Sequence, residues 1–266
     1  MTIFHPEQHG AGQDISISKM MILSDVSIAT SCLSFFGFFC LNKSLNYVSP
    51  PAKYADKNRH KWRNAMCSLV HALIVGIYGT YCFFSNPELQ EDLVNGYTLG
   101  SEVIIALSGG YFMYDTLDLM SNNTFSTSWP LYTHHLVVLF LCFTILSLRQ
   151  LYATINIAMI LELNSIFLHA RQLLLMYGYS KQDIVYRINA ALNVLTYVVC
   201  RSGSMGFLCV WVIVTSQDVP PIIRKTGPFT LGAIFVINQI LFYRLIVSDY
   251  LRRSATPRHD VDIMDS

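Results

Sequence analysis

The sequence predicts an all-α membrane protein, a polytopic bundle of six to seven transmembrane helices. Of its 266 residues, 53% are hydrophobic and only 13% are charged, which is far more apolar than a soluble domain. The mean hydropathy is +0.41. Several apolar segments also carry polar residues on a single helix face, which indicates helices that pack together inside a bilayer.

Seven apolar segments are candidates for crossing the hydrocarbon core, which takes about 20 helical residues. Because the fourth is short and the fifth is polar, both six and seven crossings stay open. We interpret the first segment as a retained helix, since the polar residues 1–19 before it lack the basic region of a signal peptide. The segments are 20–41, 65–84, 97–120, 131–148, 151–176, 188–215 and 229–250, followed by a polar tail at 251–266.

The distribution of lysine and arginine predicts the orientation. Eleven of the 18 fall in the loop after the first segment, the loop after the fifth and the C-terminal tail, against four in the loops on the opposite side. Short basic loops stay in the cytosol. We therefore predict that the N-terminus lies outside and that the C-terminal tail is cytosolic.

Composition excludes several classes of partner and cofactor. A net charge of +1 gives no electrostatic footprint for nucleic acid. The seven cysteines lie in or beside apolar runs and lack the close spacing of a zinc site. We expect no metal, no other cofactor and no nucleic-acid partner.

The third and fourth segments carry the main catalytic candidates. The catalytic candidates Asp115 and Asp118 share one face of the third segment with Tyr111, a candidate for substrate binding, because the three are spaced by three or four residues. His134 and His135 open the fourth segment at the same leaflet, so the two pairs can meet across a short loop. A carboxylate that orients an imidazole makes a general base. A metal site and a purely interfacial role for these residues are the alternatives.

The fifth and sixth segments carry the candidates for substrate binding. Glu162 and His169 lie on one face of the fifth helix, and Asn164 and Arg171 lie on another. Such a helix cannot face lipid on all sides. Glu162 can pair with Arg201 of the sixth segment as a structural ion pair, or it can share the histidine site.

Several motifs, taken together and in this order, resemble the TLC-domain family, which includes the ceramide synthases. The resemblance spans residues 57–250, nearly the whole chain after the first helix, and is strongest to the calfacilitin-type branch. Its motifs are Gly110-Tyr111-Phe112-Met113-Tyr114-Asp115-Thr116-Leu117-Asp118, Ser128-Trp129, His134-His135, Trp62-Arg63-Asn64 with His71, Glu162-Leu163-Asn164-Ser165-Ile166-Phe167-Leu168 before Arg171, and Tyr186-Arg187-Ile188-Asn189 with Asn193.

The resemblance implies a helical bundle around an intramembrane cavity that holds phospholipids or acyl lipids. It also implies a role at the plasma membrane, with the endoplasmic reticulum as the alternative. That role is control of phospholipid acyl composition and membrane fluidity, by limiting the incorporation of polyunsaturated acyl chains into phospholipids.

One departure from the ceramide-synthase pattern leaves the question of catalysis open. That pattern has a His-Asp dipeptide and a second aspartate after the paired histidines, whereas Asp115 and Asp118 precede His134 and His135 here. Transfer from acyl-CoA to another lipid stays open, as does ceramide-synthase-type acylation. The remaining alternative is a non-catalytic regulator that contacts a membrane-protein partner, either a channel or a lipid-synthesising enzyme. The oligomeric state is not predicted.

Overall fold

The computed structural model describes residues 23–52, 58–122, 125–215, 219 and 221–251, and the regular secondary structure in those ranges is helical throughout. Six helices in those ranges are long and apolar enough to cross a membrane. The predicted all-α polytopic bundle is therefore confirmed. The predicted polar segment 1–19 and all but the first residue of the tail 251–266 lie outside the described residues.

The apolar segments correspond to ten α-helices among the described residues. Two π-helical segments, Tyr197–Gly203 and Val247–Leu251, continue the eighth and tenth helices. In chain order the helices are α1 (Asp25–Ser44), α2 (Arg59–Ser85), α3 (Pro87–Glu91), α4 (Leu99–Ser121), α5 (Phe125–Leu148), α6 (Tyr152–Met159), α7 (Leu161–Met176), α8 (Ile184–Thr196), α9 (Ser204–Val214) and α10 (Pro221–Ile246).

Two boundaries differ from the sequence prediction in ways that matter for the site. Helix α5 begins at Phe125 rather than at 131, so His134 and His135 lie about 15 Å into the helix and do not open it. The fifth apolar segment is interrupted at Ile160, which separates α6 from α7. Apolar periodicity alone did not indicate either feature.

Helix α4 lies at the centre of the bundle, although it carries three carboxylates. It packs against α1, α2 and α5, and most of its side chains are buried. Its 23 residues extend about 34 Å, which is enough to cross the hydrocarbon core. Carboxylates are tolerated on such a helix because its neighbours, and not lipid, surround it.

A stripe of serines joins α1 to α4, and the two helices run parallel. The Ser27 hydroxyl donates to the Glu102 carboxylate at 2.6 Å, and that of Ser34 donates to the carbonyl oxygen of Leu107 at 2.6 Å. Gly110 faces the backbone of Ser31, where a side chain would not fit. Because lipid provides no hydrophobic drive between helices, small residues and hydroxyl hydrogen bonds hold this pair together.

Helix α2 runs antiparallel to α4 and also packs against the α6–α7 junction. Gly76 makes this second contact possible, because a Cβ there would lie 2.8 Å from the backbone nitrogen of Leu163. Gly79 meets the Met159 side chain one turn further along. The interruption at Ile160 therefore lies directly against α2, which holds the start of α7 in place.

The close contact at Gly110 yields a stability prediction with a neighbouring control. A Cβ at Gly110 would lie 2.8 Å from Ser34 Cβ and closer still to the Ser31 carbonyl, whereas one at Gly109 would lie 3.7 Å from Cys142. We expect Gly110→Ala to lower the free energy of unfolding by roughly 1–3 kcal/mol through overpacking. Gly109→Ala is expected to be neutral or stabilising, since alanine favours helix more than glycine does.

Thermal unfolding of the detergent-solubilised variants measures both effects. Equal midpoints for Gly110→Ala and Gly109→Ala would contradict the α1–α4 packing described above.

Candidate functional site

A buried carboxylate and a buried imidazole meet between α4 and α5. Asp115 is 2% exposed and His135 is 4% exposed, and 3.5 Å separates Asp115 Oδ2 from His135 Nδ1. The second carboxylate oxygen, Oδ1, accepts a hydrogen bond from the side-chain amide of Asn64 on α2. Three helices thus converge on one carboxylate, and one of its oxygens is directed at the histidine.

His135 has unused hydrogen-bonding capacity. Its Nδ1 is fully buried and meets no hydrogen-bond partner among the described residues, since the contact with Asp115 reaches only ion-pair distance. The ring of Phe112 covers it, with 5.1 Å between the ring centroids. A hydrogen bond from Nδ1 to Asp115 at this position would fix the imidazole tautomer.

His134 faces a different set of neighbours from His135. The two ring centroids are 5.9 Å apart, and the ring planes are inclined by 57°. His134 is half-buried and lies within range of the positive charge of Arg201. Of the two histidines, His135 contacts Asp115, and His134 lies within electrostatic range of Arg201.

Asp118 does not join the histidine pair. It lies one turn beyond Asp115, is half-buried, and is within electrostatic range of Arg63, His60 and Lys43. In the part of the chain that the structure describes, it makes no ion pair with either histidine. Of the two predicted orienting carboxylates, the geometry favours Asp115.

Hydrogen bonds between α2 and α4 support the site. The sequence did not lead us to predict the two α2 residues, Asn64 and Ser68, as part of it. The Tyr111 hydroxyl donates to Ser68 Oγ at 3.0 Å, and the Ser68 hydroxyl donates to the carbonyl oxygen of Asn64 at 2.9 Å. His71 stacks on Tyr111 and meets Ser108 Oγ at 3.0 Å. Tyr111, predicted to bind substrate, uses its hydroxyl within the protein.

Asn64, Ser68 and His71 share one face of α2, because they are spaced by four and three residues. This periodicity is visible in the sequence and is the signal that would have assigned Asn64 and Ser68 to the site.

A second polar group surrounds Arg201 in the π-helical segment that joins α8 and α9. Its guanidinium donates to Ser165 Oγ at 2.7 Å and to the side-chain oxygen of Asn238 at 3.1 Å. Ser165 lies on α7, the helix that also carries Glu162 and His169. The predicted residues Glu162 and His169, together with His134, thus lie within electrostatic range of Arg201.

Two predicted binding residues have structural partners instead. The Asn164 amide donates to the carbonyl and side-chain oxygens of Asn193 at 2.9 and 2.8 Å, joining α7 to α8. Arg171 Nε donates to Asp249 Oδ2 at 2.7 Å, and Tyr186 donates to the same carboxylate. We therefore leave Asn164 and Arg171 out of the proposed site.

Two open grooves lie between helices, away from the histidines. One, of about 450 Å³, is lined mainly by apolar side chains of α7 and α8 together with Leu69 of α2, and the other, of about 340 Å³, lies near Ile160 and Phe207. Neither includes Asp115, His134 or His135. The intramembrane cavity beside the histidines stays a prediction.

Comparison with known proteins adds independent information. The family model described as TLC domain matches residues 61–247. TLC domain-containing protein 2 of Danio rerio is 36% identical over 238 residues, covering 88% of this chain and 94% of the relative. The human TLC domain-containing protein 2 is 30% identical, covering 84% of each chain. TLC domain-containing protein 1 of Gallus gallus is 26% identical, covering 76% of this chain and 80% of the relative. No solved structure matches the chain.

The structural assignment of Arg171 yields a stability prediction. Arg171→Met leaves the Asp249 carboxylate buried without its cation, and we expect the free energy of unfolding to fall by roughly 3–5 kcal/mol. The double variant Arg171→Met, Asp249→Leu removes both charges and is expected to recover most of that loss. Arg224→Met, at an exposed position on α10, is the matched control.

Thermal unfolding in detergent compares these three variants with wild type. If the single variant Arg171→Met is as stable as the control, the ion pair is not structural, and Arg171 is again a candidate for substrate binding.

Proposed function

Because this chain belongs to the TLC-domain family, as its motifs predict, we propose that it binds or processes acyl lipids inside its helical bundle. The outcome is a limit on the incorporation of polyunsaturated acyl chains into phospholipids, and thereby control of membrane fluidity. The protein is a multi-pass membrane protein. We place its action at the plasma membrane, with the N-terminus outside and the C-terminus in the cytosol.

The buried Asp115–His135 pair is the observation that carries the proposal. Ionisable side chains inside a membrane bundle are costly to bury and mark functional sites by default. Here the pair lies between apolar helices, with His134 beside it and the Phe112 ring packed edge-to-face against the imidazole of His135. A few convergent polar groups in apolar surroundings are what an acyl-chain site requires.

We assign distinct roles to the three residues nearest the proposed chemistry. Asn64 occupies one oxygen of Asp115, so the other oxygen is free to accept the Nδ1 proton of His135. That contact directs the lone pair of Nε2 away from Asp115, where it can act as a base. Asp115 thus orients the imidazole and stabilises the imidazolium that forms.

The enzymatic version of the proposal is acyl transfer from a thioester such as acyl-CoA, which enters as a substrate and not as a resident cofactor. His135 takes the proton of the acceptor lipid's hydroxyl or amine as its oxygen or nitrogen bonds to the acyl carbonyl carbon. The carbon–sulfur bond breaks, and the imidazolium returns the proton to the departing thiolate. The products are the acylated lipid and the free thiol, and His135 is neutral again.

The paired aspartates of α4 provide the test. In cells that lack the protein, we expect wild type and Asp118→Asn to restore the polyunsaturated fraction of phospholipids. We expect Asp115→Asn and His135→Ala to fail at matched abundance, because loss of general-base catalysis costs about 10²–10⁴-fold in rate. The measurement is the acyl-chain profile by lipid mass spectrometry.

Asp118→Asn is the matched control, because it makes the same change one turn away on the same helix. If all four proteins restore the profile, the buried pair does no chemistry. Contact with a channel or a lipid-synthesising enzyme then becomes the better account.

A further inference from the structure

Arg201 is held inside the bundle without a carboxylate in contact. Its guanidinium lies over the Tyr197 ring, with 5.4 Å to the centroid, and donates to the neutral partners Ser165 and Asn238. Among the described residues no carboxylate oxygen lies within 4.0 Å of it. Arg171 of the same bundle differs, because two of its guanidinium nitrogens contact the two carboxylate oxygens of Asp249.

Much of the hydrogen-bonding capacity of Arg201 is unused. A guanidinium has five N–H donors, and the hydrogen bonds to Ser165 and Asn238 account for two of them. Its Nε is fully buried and meets no acceptor within the described ranges. A buried donor without an acceptor is costly, and a cation in hydrocarbon more so, unless a ligand completes the site.

The groups around Arg201 do not neutralise it by contact. Glu162 is the carboxylate within range of its charge, and Ser165 lies between the two. His134 and His169 are also within range. The Nδ1 atom of His169 is likewise buried and meets no hydrogen-bond partner in the part of the chain that the structure describes. Unused polar atoms thus lie on two helical elements close to the histidine pair.

We propose that Arg201 binds the oxyanion of a single-chain acyl lipid, either a fatty carboxylate or a phosphate ester, beside His134. The planar guanidinium matches both groups, because its parallel N–H donors engage two oxygens at once. The inference rests on the proposed function, since it identifies the class of lipid that this site receives. The acyl chain of the lipid then lies among apolar helices, and its charged end is fixed near the imidazoles.

Binding by the full-length protein in detergent micelles tests the proposal. The probe is a fluorescent fatty acid, displaced by oleate, by oleoyl lysophosphatidate or by neutral methyl oleate. We expect wild type to prefer at least one of the two anions over methyl oleate by about tenfold or more. Arg201→Gln should reduce that preference to within about twofold. Arg224→Gln, at an exposed arginine of α10, should leave it unchanged.

Arg201→Lys guards against a variant that fails to fold, because it keeps the charge and loses only the two-pronged geometry. It should keep part of the preference. Oleate and lysophosphatidate separate a carboxylate site from a phosphate site. Equal binding of both anions and methyl oleate by wild type, or an anion preference that survives in Arg201→Gln, would overturn the proposal.

The experiment also separates this proposal from the proposed function. If anion preference is independent of Arg201 while Asp115→Asn and His135→Ala still fail to restore the lipid profile, the acyl-lipid function stands and only the anion site is wrong. If Arg201 binds the anion but the buried pair does not affect the profile, the protein is a lipid-binding protein without that chemistry.

Discussion

A polar group that this bundle carries into the bilayer needs a partner in the protein or in a bound ligand, because the hydrocarbon core of the bilayer offers no hydrogen-bond partners. Asp115 illustrates the constraint, since its carboxylate draws Asn64 from α2 and His135 from α5 to the central helix α4. Glu102 has the same effect at the other end of α4, where Ser27 of α1 donates to it. The positions of the neighbouring helices follow from these contacts.

Close backbone approach makes those contacts possible. Gly110 brings α1 against α4, and Gly76 brings α2 against the α6–α7 junction. With these helices in place, the side chains of Asp115 and His135 meet at a defined geometry. A site built on packed helices is held more rigidly than one built on loops, which suits an imidazole that must present one nitrogen to a reacting group.

The two arginines Arg171 and Arg201 show how the fold separates structure from function. Arg171 is paired with Asp249 and fastens the end of the last helix to α7. Arg201 lies on a π-helical segment, a feature that is frequent at functional sites, and its buried Nε meets no acceptor among the described residues. Both arginines are intramembrane cations in the sequence, and only their three-dimensional partners distinguish them.

This distinction marks how far the sequence alone could predict the molecule. The helices were predictable, because about 20 apolar residues cross a bilayer and few other structures satisfy the backbone there. The proximity of Asp115 to the histidines was predictable from the order of helices along the chain. The break at Ile160, the π-helical segment and the partner of Arg171 were not, because each depends on contacts between residues far apart in sequence. Asn64 and Ser68 were partly predictable. The sequence shows that they share a helix face, but it does not show which side chains they contact.

The most direct test of the account is a double-mutant thermodynamic cycle on Asp115 and His135. The thermal stability of wild type, Asp115→Asn, His135→Ala and the double variant gives the coupling free energy between the two side chains. The geometry predicts a coupling of about 1 kcal/mol or more, in the range found for residues in direct contact. Effects that add to within about 0.5 kcal/mol would mean that the two side chains do not interact, which would contradict the central claim.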